Sequence, residues 1–334
     1  MKQNKTKKHS AIALFSGGLD SLLVVKYMEK LGYTIYPVYF ATPYMPAQRA
    51  LEAALDNGIN LIVRDISSEH IEMMESPVYG FGKNLNPCID CHGLMFRIAG
   101  EMLEELGADF IISGEVMGQR PMSQRKDALN MVAKLSGYKD LLVRPLSQKL
   151  LEDTLPITQG WVDKDDMLDI SGRGRNRQLE LAKELGIKNF PSPAGGCLLT
   201  DKGFSQRIKD LQSHNQFDER NLELLRFGRH FRLDDRAKLI VGRNMAENAS
   251  LSELSEGLIT LKAAEHIGPF AVLNSQDIAE DVLRLALDIF WYYHPKAPDE
   301  GKVLLYQPDG SSLEYEAEKT SRETVEKYML NIQK

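Results

Sequence analysis

Ala11-Ile12-Ala13-Leu14-Phe15 runs directly into Ser16-Gly17-Gly18-Leu19-Asp20-Ser21, and apolar residues then recur at helical intervals: Leu22, Leu23, Val25, Tyr27, Met28 and Leu31. The order is strand, tight turn, helix. Gly32 closes the helix, Thr34–Ala41 reads as a second strand, Ala47–Asp56 as a helix, and Ile59–Ile66 as a third strand. This alternation predicts an α/β domain with an open parallel sheet and helices on both faces.

Further along, Glu75–Pro87 reads as a loop, Asp90–Leu106 as a helix, Ala108–Ser113 as a buried strand, Asp127–Ser136 as a helix and Leu141–Val143 as a short strand. Gln159–Gly174 has no period and reads as surface loop. A helix over Asn176–Leu185 precedes Asn-Phe-Pro-Ser-Pro-Ala-Gly-Gly, a rigid turn that delivers Cys197. Beyond residue 203 the pattern changes to short strands (Phe231–Leu233, Lys238–Val241, Gly257–Thr260, Phe270–Leu273, Lys302–Tyr306) and helices at Asn244–Glu256 and Gln276–Tyr292. The expected organisation is a basic tail over 1–10, an α/β domain over 11–202 and a smaller α+β domain over 203–334.

At the first bend, backbone N–H groups and the positive end of the helix dipole converge on one point, where an anion belongs. Gly17 and Gly18 allow close backbone approach, and Ser16 and Ser21 offer hydroxyls to phosphate oxygens. Asp20 cannot hold a phosphate directly, so its use is to hold a magnesium ion bridging phosphate oxygens. No lysine of the Walker type is present, which argues against terminal phosphate transfer by that machinery.

Ser16–Ser21 resembles the signature of the PP-loop ATP pyrophosphatases, whose fold is adenine nucleotide alpha hydrolase-like. The resemblance implies ATP bound at Ser16, Gly17, Gly18, Leu19, Asp20 and Ser21, cleavage between the α and β phosphates, transfer of AMP to a substrate oxygen and release of pyrophosphate. It also implies adenine near the end of the second strand, at Phe40 and Ala41. Ser113-Gly114-Glu115-Val116-Met117-Gly118-Gln119, Ser123-Gln124 and Arg144-Pro145-Leu146 resemble stretches of tRNA 4-thiouridine synthases. Gly114 would lie at the carboxyl end of a strand, beside the ligand crevice of an open α/β sheet.

Three cysteines in 334 residues exclude a disulfide scaffold. Cys88 and Cys91 stand in Asn86-Pro87-Cys88-Ile89-Asp90-Cys91-His92, and Cys197 follows 106 residues after Cys91. All three occupy turn-like settings, unlike cysteines that act as small core hydrophobes. Two at this spacing with a distant third can face one metal ion or cluster, or form a redox pair. The segment resembles that of tRNA 2-thiouridylases, in which the cysteine matching Cys91 is catalytic and a second lies where Cys197 stands. Cys88 adds a resemblance to a three-cysteine, cluster-dependent branch: three thiolates would hold three irons of a 4Fe-4S cluster and leave the fourth iron open to carry sulfide. Two other readings stand beside it. Cys91 would carry a persulfide that Cys197 resolves, or Cys88, Cys91, Cys197 and His92 would hold zinc. His92 itself reads as an ordinary first-turn residue.

The chain carries 41 Lys and Arg against 47 Asp and Glu, a net charge of −6, and 43% hydrophobic with 26% charged residues, which excludes disordered and wholesale basic classes. Positive charge concentrates in residues 171–243, which hold 15 basic against 9 acidic side chains. Arg173, Arg175 and Arg177 alternate along Gly172–Arg177, and Arg226, Arg229 and Arg232 are interleaved with Phe227, His230 and Phe231. Basic plus aromatic is the composition of a single-strand or loop RNA surface. Residues 203–334 resemble the RNA-binding domain attached to some thiouridine-synthase-like proteins. Phe290-Trp291-Tyr292-Tyr293 reads as core or domain interface.

Together these readings point to an ATP-dependent tRNA uridine sulfurtransferase using ATP, Mg2+ and a 4Fe-4S cluster, with Asp20, Cys91 and Cys197 in catalysis. Few residues precede Ala11, so the grip on tRNA is expected from the later domain. Sulfur would come from a cysteine desulfurase or as free sulfide; a homodimer and a cytoplasmic location are expected, with no membrane-spanning run of roughly 18 apolar residues. Two rivals remain: a PP-loop enzyme adenylating a small molecule, and a metal-binding RNA-binding module whose nucleotide site is vestigial.

Overall fold

β1 (Ser10–Leu14) is apolar after Ser10 because both its faces are covered: Ala11, Ile12 and Ala13 have no exposed surface. The computed structural model describes residues 9–191, 197–275 and 277–330. It divides into two compact units, Met1–Cys197 and Leu198–Lys334.

In the first unit β1 is followed by α1 (Leu19–Lys30), β2 (Thr34–Ala41), α2 (Gln48–Asp56), β3 (Ile62–Asp65), α3 (Ser67–Glu75), α4 (Cys88–Glu101), α5 (Leu103–Leu106), β4 (Phe110–Ser113), α6 (Lys126–Ser136), β5 (Leu142–Val143), α7 (Leu155–Thr158) and α8 (Asn176–Glu184). The five strands are parallel in the order β3-β2-β1-β4-β5. From β1 the chain winds outward through β2 and β3, then returns to the other side of β1 to make β4 and β5. The carboxyl ends of β1 and β4 therefore flank the switch point, where open α/β sheets bind ligands.

Alternate residues of β1 feed opposite faces. Ala11 and Ala13 pack with Leu22, Val25 and Met28 of α1; Ile12 packs with Leu94, Phe96 and Ile98 of α4 and Val132 of α6. Val162, Met167 and Ile170 also belong to the α1 side. That corrects the surface-loop reading of Gln159–Gly174. The segment lacks a period because it mixes turns and a 3-10 turn at Lys164–Asp166 with a short extended stretch, where Leu168 and Ile170 N–H groups donate to Pro145 and Leu146 carbonyls at 2.8 Å. The helix expected over Asp90–Leu106 starts two residues earlier, at Cys88, and is interrupted at Met102.

The second unit comprises α9 (Lys202–Ser213), α10 (Glu219–Leu224), β6 (Arg229–Arg232), β7 (Lys238–Val241), α11 (Met245–Glu253), β8 (Ile259–Ala263), β9 (Ala271–Asn274), α12 (Glu280–Tyr292), β10 (Glu300–Tyr306), β11 (Ser312–Glu318) and α13 (Arg322–Tyr328). Its six strands form an antiparallel sheet, β11-β10-β8-β9-β7-β6. α12 covers one face, with Leu287, Phe290 and Trp291 packed on Leu239, Leu261 and Val303. The other face packs Ile240 and Val272 against Leu224 of α10 and Leu251 of α11.

Candidate active site

The bend after β1 is shaped by two glycines with different tasks. Gly17 adopts φ +75°, and a Cβ there would lie 2.9 Å from Ala50 Cα, so neither its conformation nor its neighbour admits a side chain. Gly18 is extended (ψ 163°) and caps α1 through its backbone, its carbonyl accepting from the Ser21 and Leu22 N–H groups at 3.1 Å. Ser21 Oγ donates to the Gly18 carbonyl at 2.8 Å, Ser16 Oγ stands 3.3 Å from Ser21 Oγ, and Ser16 is exposed at the mouth. Leu19 sends its side chain into the core, so only its backbone faces the bend. The Leu19 and Asp20 N–H groups, with no acceptor among the described residues, remain open at the start of a twelve-residue helix beside two hydroxyls.

β4 closes the other side. A Cβ on Gly114 would sit 2.4 Å from the Asp20 carbonyl oxygen and 2.8 Å from Ser21 N, so the end of β4 touches the first turn of α1 only because residue 114 is glycine. Five residues on, Gln119 Nε2 donates to Asp20 Oδ2 at 2.8 Å and Gln119 Oε1 accepts from Gln178 Nε2 at 3.3 Å. Asp20 Oδ1 is buried with no hydrogen-bond partner among the described residues. Burial raises the Asp20 carboxyl above its ordinary value, while the Gln119 hydrogen bond, the charges of Arg175 and Arg120 and the nearby Gln178 amide pull it down without cancelling the rise. A buried carboxylate oxygen with an unspent lone pair beside an anion cradle fits a magnesium ion.

Glu115 ties this corner to the cysteine helix. Its carboxylate accepts from Arg144 Nε at 2.8 Å and Ser113 Oγ at 3.2 Å, and lies 3.1 Å from His92 Nδ1. Burial alone would raise it, but Arg144 and His92 outweigh burial and hold it at about 2. Arg144 also lies over the Phe96 ring of α4, 5.7 Å from its centroid.

Cys88 is the first residue of α4 and Cys91 lies one turn in; no disulfide joins any of the three cysteines. Cys88 Sγ accepts from Asn86 Nδ2 at 3.3 Å. Asp90, buried between them, accepts from the Val78 and Tyr79 N–H groups at 2.6 and 3.1 Å and folds the preceding loop over the helix start. Cys91 is only 8% exposed, against the expectation of an open turn. Burial pushes its thiol well up, and Cys197, Cys88 and Asp90 push the same way. Burial, then Cys197 and Cys91, raises Tyr39 to about 12, and the same three causes raise Tyr44. The three cysteines and two phenols therefore share one electrostatic neighbourhood. Among the described residues no three His, Cys, Asp or Glu side chains converge to hold a single metal ion. His92 is turned to Glu115. The Pro-Gly turn expected ahead of Cys197 falls on residues 192–196, outside the described residues.

Phe40, expected beside adenine, is 4% exposed and packs in the sheet core, leaving backbone and the half-buried Ala41 at the strand end. Of the arginines, Arg173 is exposed, Arg177 pairs with Asp169 at 2.7 Å, and Arg175 lies within electrostatic reach of Asp20. In the second unit Arg226 lies over the Phe227 ring at 5.0 Å and Arg229 over Tyr293 at 4.4 Å. Arg232 is committed to Asp210 through Nε at 2.9 Å and Nη2 at 2.7 Å. Glu115, Gln119 and Arg144 lie within stretches singled out in the sequence, yet no spacing rule assigned them these tasks. Gln178, Tyr39 and Tyr44 carried no sequence signal.

Residues 6–152 match the family described as thiamine biosynthesis protein (ThiI), and residues 228–329 match the NFACT protein RNA binding domain. A probable tRNA sulfurtransferase from Methanosarcina mazei is 34% identical over 40% of this chain and 34% of its own length. A tRNA-specific 2-thiouridylase, MnmA 3, from Bacteroides fragilis is 31% identical over 33% of this chain and 32% of its own. A solved 4-thiouridine synthetase in complex with RNA and ATP aligns over 54% of this chain and 52% of its own, at 20% identity and a TM-score of 0.35. The chain spans 34% to 52% of the length of the first three curated relatives it matches. Each of the two family matches covers less than half of the chain, so residues 6–152 are similar to the ThiI family and residues 228–329 to the NFACT RNA binding domain.

Proposed function

We propose that the chain is an ATP-dependent tRNA uridine sulfurtransferase. One observation carries the reading: an unbroken line of contacts joins the anion cradle to the cysteines, from Asp20 to Gly114, through Glu115 to His92, and so to the adjacent Cys91. The tRNA sulfurtransferases and 2-thiouridylases similar to it support the same assignment. ATP would lie with its phosphates on the first-turn amides and the Ser16 and Ser21 hydroxyls, and its adenine by the end of β2 at Ala41. Asp20 Oδ1 would hold magnesium, whose charge helps pyrophosphate leave. The uracil carbonyl oxygen takes AMP, pyrophosphate departs, and sulfur attacks the carbon as AMP leaves with its oxygen. Aligning the two reactants and neutralising phosphate charge commonly supply several kcal/mol each.

Cys88, Cys91 and Cys197 would hold three irons of a 4Fe-4S cluster, with sulfur supplied by a cysteine desulfurase or as sulfide. The donor set fits in chemistry: three thiols, with Cys88 and Cys197 both in electrostatic reach of Cys91, are the ligands that a cluster with one open iron takes. Bound, the cluster supplies an open iron that carries sulfide. In the persulfide alternative Cys91 carries the sulfur and Cys197 resolves it, with Cys88 a bystander. Arg173, Arg226 and Arg229 are the phosphate contacts proposed for tRNA. A cytoplasmic location belongs to the same reading; among the described residues no helix is long and apolar enough to cross a membrane.

The test is anaerobic reconstitution with unthiolated tRNA, Mg-ATP and sulfide. The expected result is tRNA-dependent release of AMP and pyrophosphate with a thiouridine in the digested tRNA, and roughly four irons per chain that Cys88→Ala loses. Pyrophosphate release that ignores RNA, or an unchanged thionucleoside profile in cells lacking the protein, overturns the tRNA assignment; an active iron-free enzyme overturns the cluster.

A further inference from the structure

The aromatic run at the end of α12 divides in two. Phe290 and Trp291 are core, with no exposed surface, but Tyr292 and Tyr293 are only half-buried and line an open cleft of about 540 Å3 within the second unit. Arg229 of β6 and the Arg243-Asn244 turn before α11 form other parts of its wall, and among the described residues no carboxylate lines it. Both tyrosines also pack against the sheet core, as the sequence reading has it, so the same rings serve core and cleft wall.

Its two guanidinium groups are positioned differently. Arg229 lies 4.4 Å from the Tyr293 ring centroid; its Nη1 reaches only the Gly242 carbonyl, at 3.5 Å, and no carboxylate pairs with it among the described residues. Arg243 is gripped by Glu247, which accepts from its Nε and Nη2 at 2.9 and 2.6 Å. The same carboxylate accepts from Gly228 N at 3.1 Å and Arg243 N at 3.0 Å. One acidic side chain thus fixes the backbone beside both arginines. Asn248 sets the far wall, its amide bridging the Gly268 carbonyl and Phe270 N, against a glycine at 242 where a Cβ would lie 2.0 Å from its Oδ1. The arrangement is preformed.

The lining selects its ligand. A cation finds no counter-charge, and a purely apolar group would bury against arginine. Aromatic faces beside fixed guanidinium groups suit a flat heterocycle that carries a phosphate, and a volume in the usual small-ligand range of about 300–1,000 Å3 holds one such unit. A duplex hides its base faces in the stack, whereas an unpaired nucleotide offers them. We infer that this cleft takes one unpaired nucleotide of a bound RNA, its base in the corner between the near-perpendicular rings of Tyr292 and Tyr293 and its phosphate between Arg229 and Arg243. The inference rests on the reading of the chain as an enzyme that acts on RNA and adds where a flipped-out or looped nucleotide is read.

The test uses the full chain and a fluorescein-labelled ten-nucleotide oligouridylate, followed by anisotropy. Tyr293→Leu and Arg229→Gln should each weaken binding by roughly tenfold or more, and Tyr293→Trp, which keeps a stacking face, should stay within about threefold of wild type. An oligonucleotide carrying 5-iodouridine should crosslink, on irradiation, to the peptide containing Tyr292 and Tyr293. Undiminished affinity in both weakening variants, or crosslinks confined to other peptides, overturns the inference. So does displacement of the oligomer by an RNA duplex, or by uridine monophosphate, at equal concentration. If Tyr293→Leu loses its far-ultraviolet dichroism, Arg229→Gln and the crosslink decide. The two readings fail separately: cleft variants that lose binding while the wild type releases no pyrophosphate with any RNA leave the cleft standing and sink the sulfurtransferase, and the converse pattern sinks only the cleft.

Discussion

Gln119 holds Asp20 by one oxygen and leaves the other bare: Nε2 donates to Oδ2 at 2.8 Å, while buried Oδ1 accepts nothing among the described residues. A carboxylate kept in that state is costly to the fold and useful to a cation. Asp20→Asn should therefore lower pyrophosphate release by about 10²–10³ without lowering the melting temperature. Gln119→Leu, which frees the carboxylate to swing, should act more mildly, raising the magnesium concentration needed for half-maximal release by about tenfold. Titrating magnesium against pyrophosphate release in both variants checks this; an Asp20→Asn protein of normal activity would remove magnesium from the proposal.

Gly114 makes a second, purely steric prediction. A methyl group there meets Asp20 backbone at 2.4 Å, and backbone at the start of a packed helix cannot step aside as a side-chain tip would. Gly114→Ala should cost about 1–3 kcal/mol of stability and most of the affinity for ATP. Gly174→Ala, where no atom lies within 4 Å of the added carbon, is the matched control and should be neutral. Calorimetric titration with ATP distinguishes them.

What the sequence announced, it announced through local constraint. The strand, glycine bend and helix at 10–30 follow from a short apolar run, two glycines and a 3.6-residue period, and the parallel sheet follows from repeating that pattern. Glu115, Arg144 and His92 come from three separate stretches, and no spacing rule joins a carboxylate to a guanidinium 29 residues away. Composition also has no direction. Arg175 reads as one of three RNA-facing arginines, yet the packing of α8 against α1 brings it to Asp20, while Arg177 turns to Asp169. α9 is missing from the sequence reading although it was legible: Phe204, Ile208 and Leu211 recur at helical spacing behind the Asp201 cap, whereas α10, six residues long behind the Asp218 cap, is too short to show a period.

The Glu115 knot predicts a pH dependence. The carboxyl is held at about 2 in the folded protein against an ordinary 4.5, so its contribution is complete above 4.5 and is lost as pH falls from there towards 2. Glu115→Gln should destabilise the first unit by about 3 kcal/mol at neutral pH, because Arg144 stays buried without its counter-charge. It should also flatten the acid limb of a stability profile measured by calorimetry. A variant that keeps the wild-type slope between those limits would show that other groups carry it.

Asp210 tests the arginine expectation in the second unit. It binds Arg232 through both oxygens at 2.9 and 2.7 Å and Lys238 at 3.2 Å, and the Lys238 side chain is 1% exposed. Burial lowers Lys238 to about 8 although Asp210 pulls it up. Asp210→Asn leaves two cations facing each other out of water and should cost about 3–5 kcal/mol. Lys238→Met keeps the Arg232 pair and should cost little or nothing. Because the folded unit releases the Lys238 proton near 8 and the unfolded chain near 10.5, wild-type stability gains from this group as pH rises between those values, and Lys238→Met should lose that gain. Hydrogen exchange of peptides from β6 and β7 reads all three effects within the unit. Arg232→Gln belongs to the same series: it should speed that exchange and lower RNA affinity only as far as the unit unfolds, whereas Arg229→Gln should lower RNA affinity with exchange unchanged. Equal loss of RNA binding from a folded Arg232→Gln protein would return that arginine to the RNA surface.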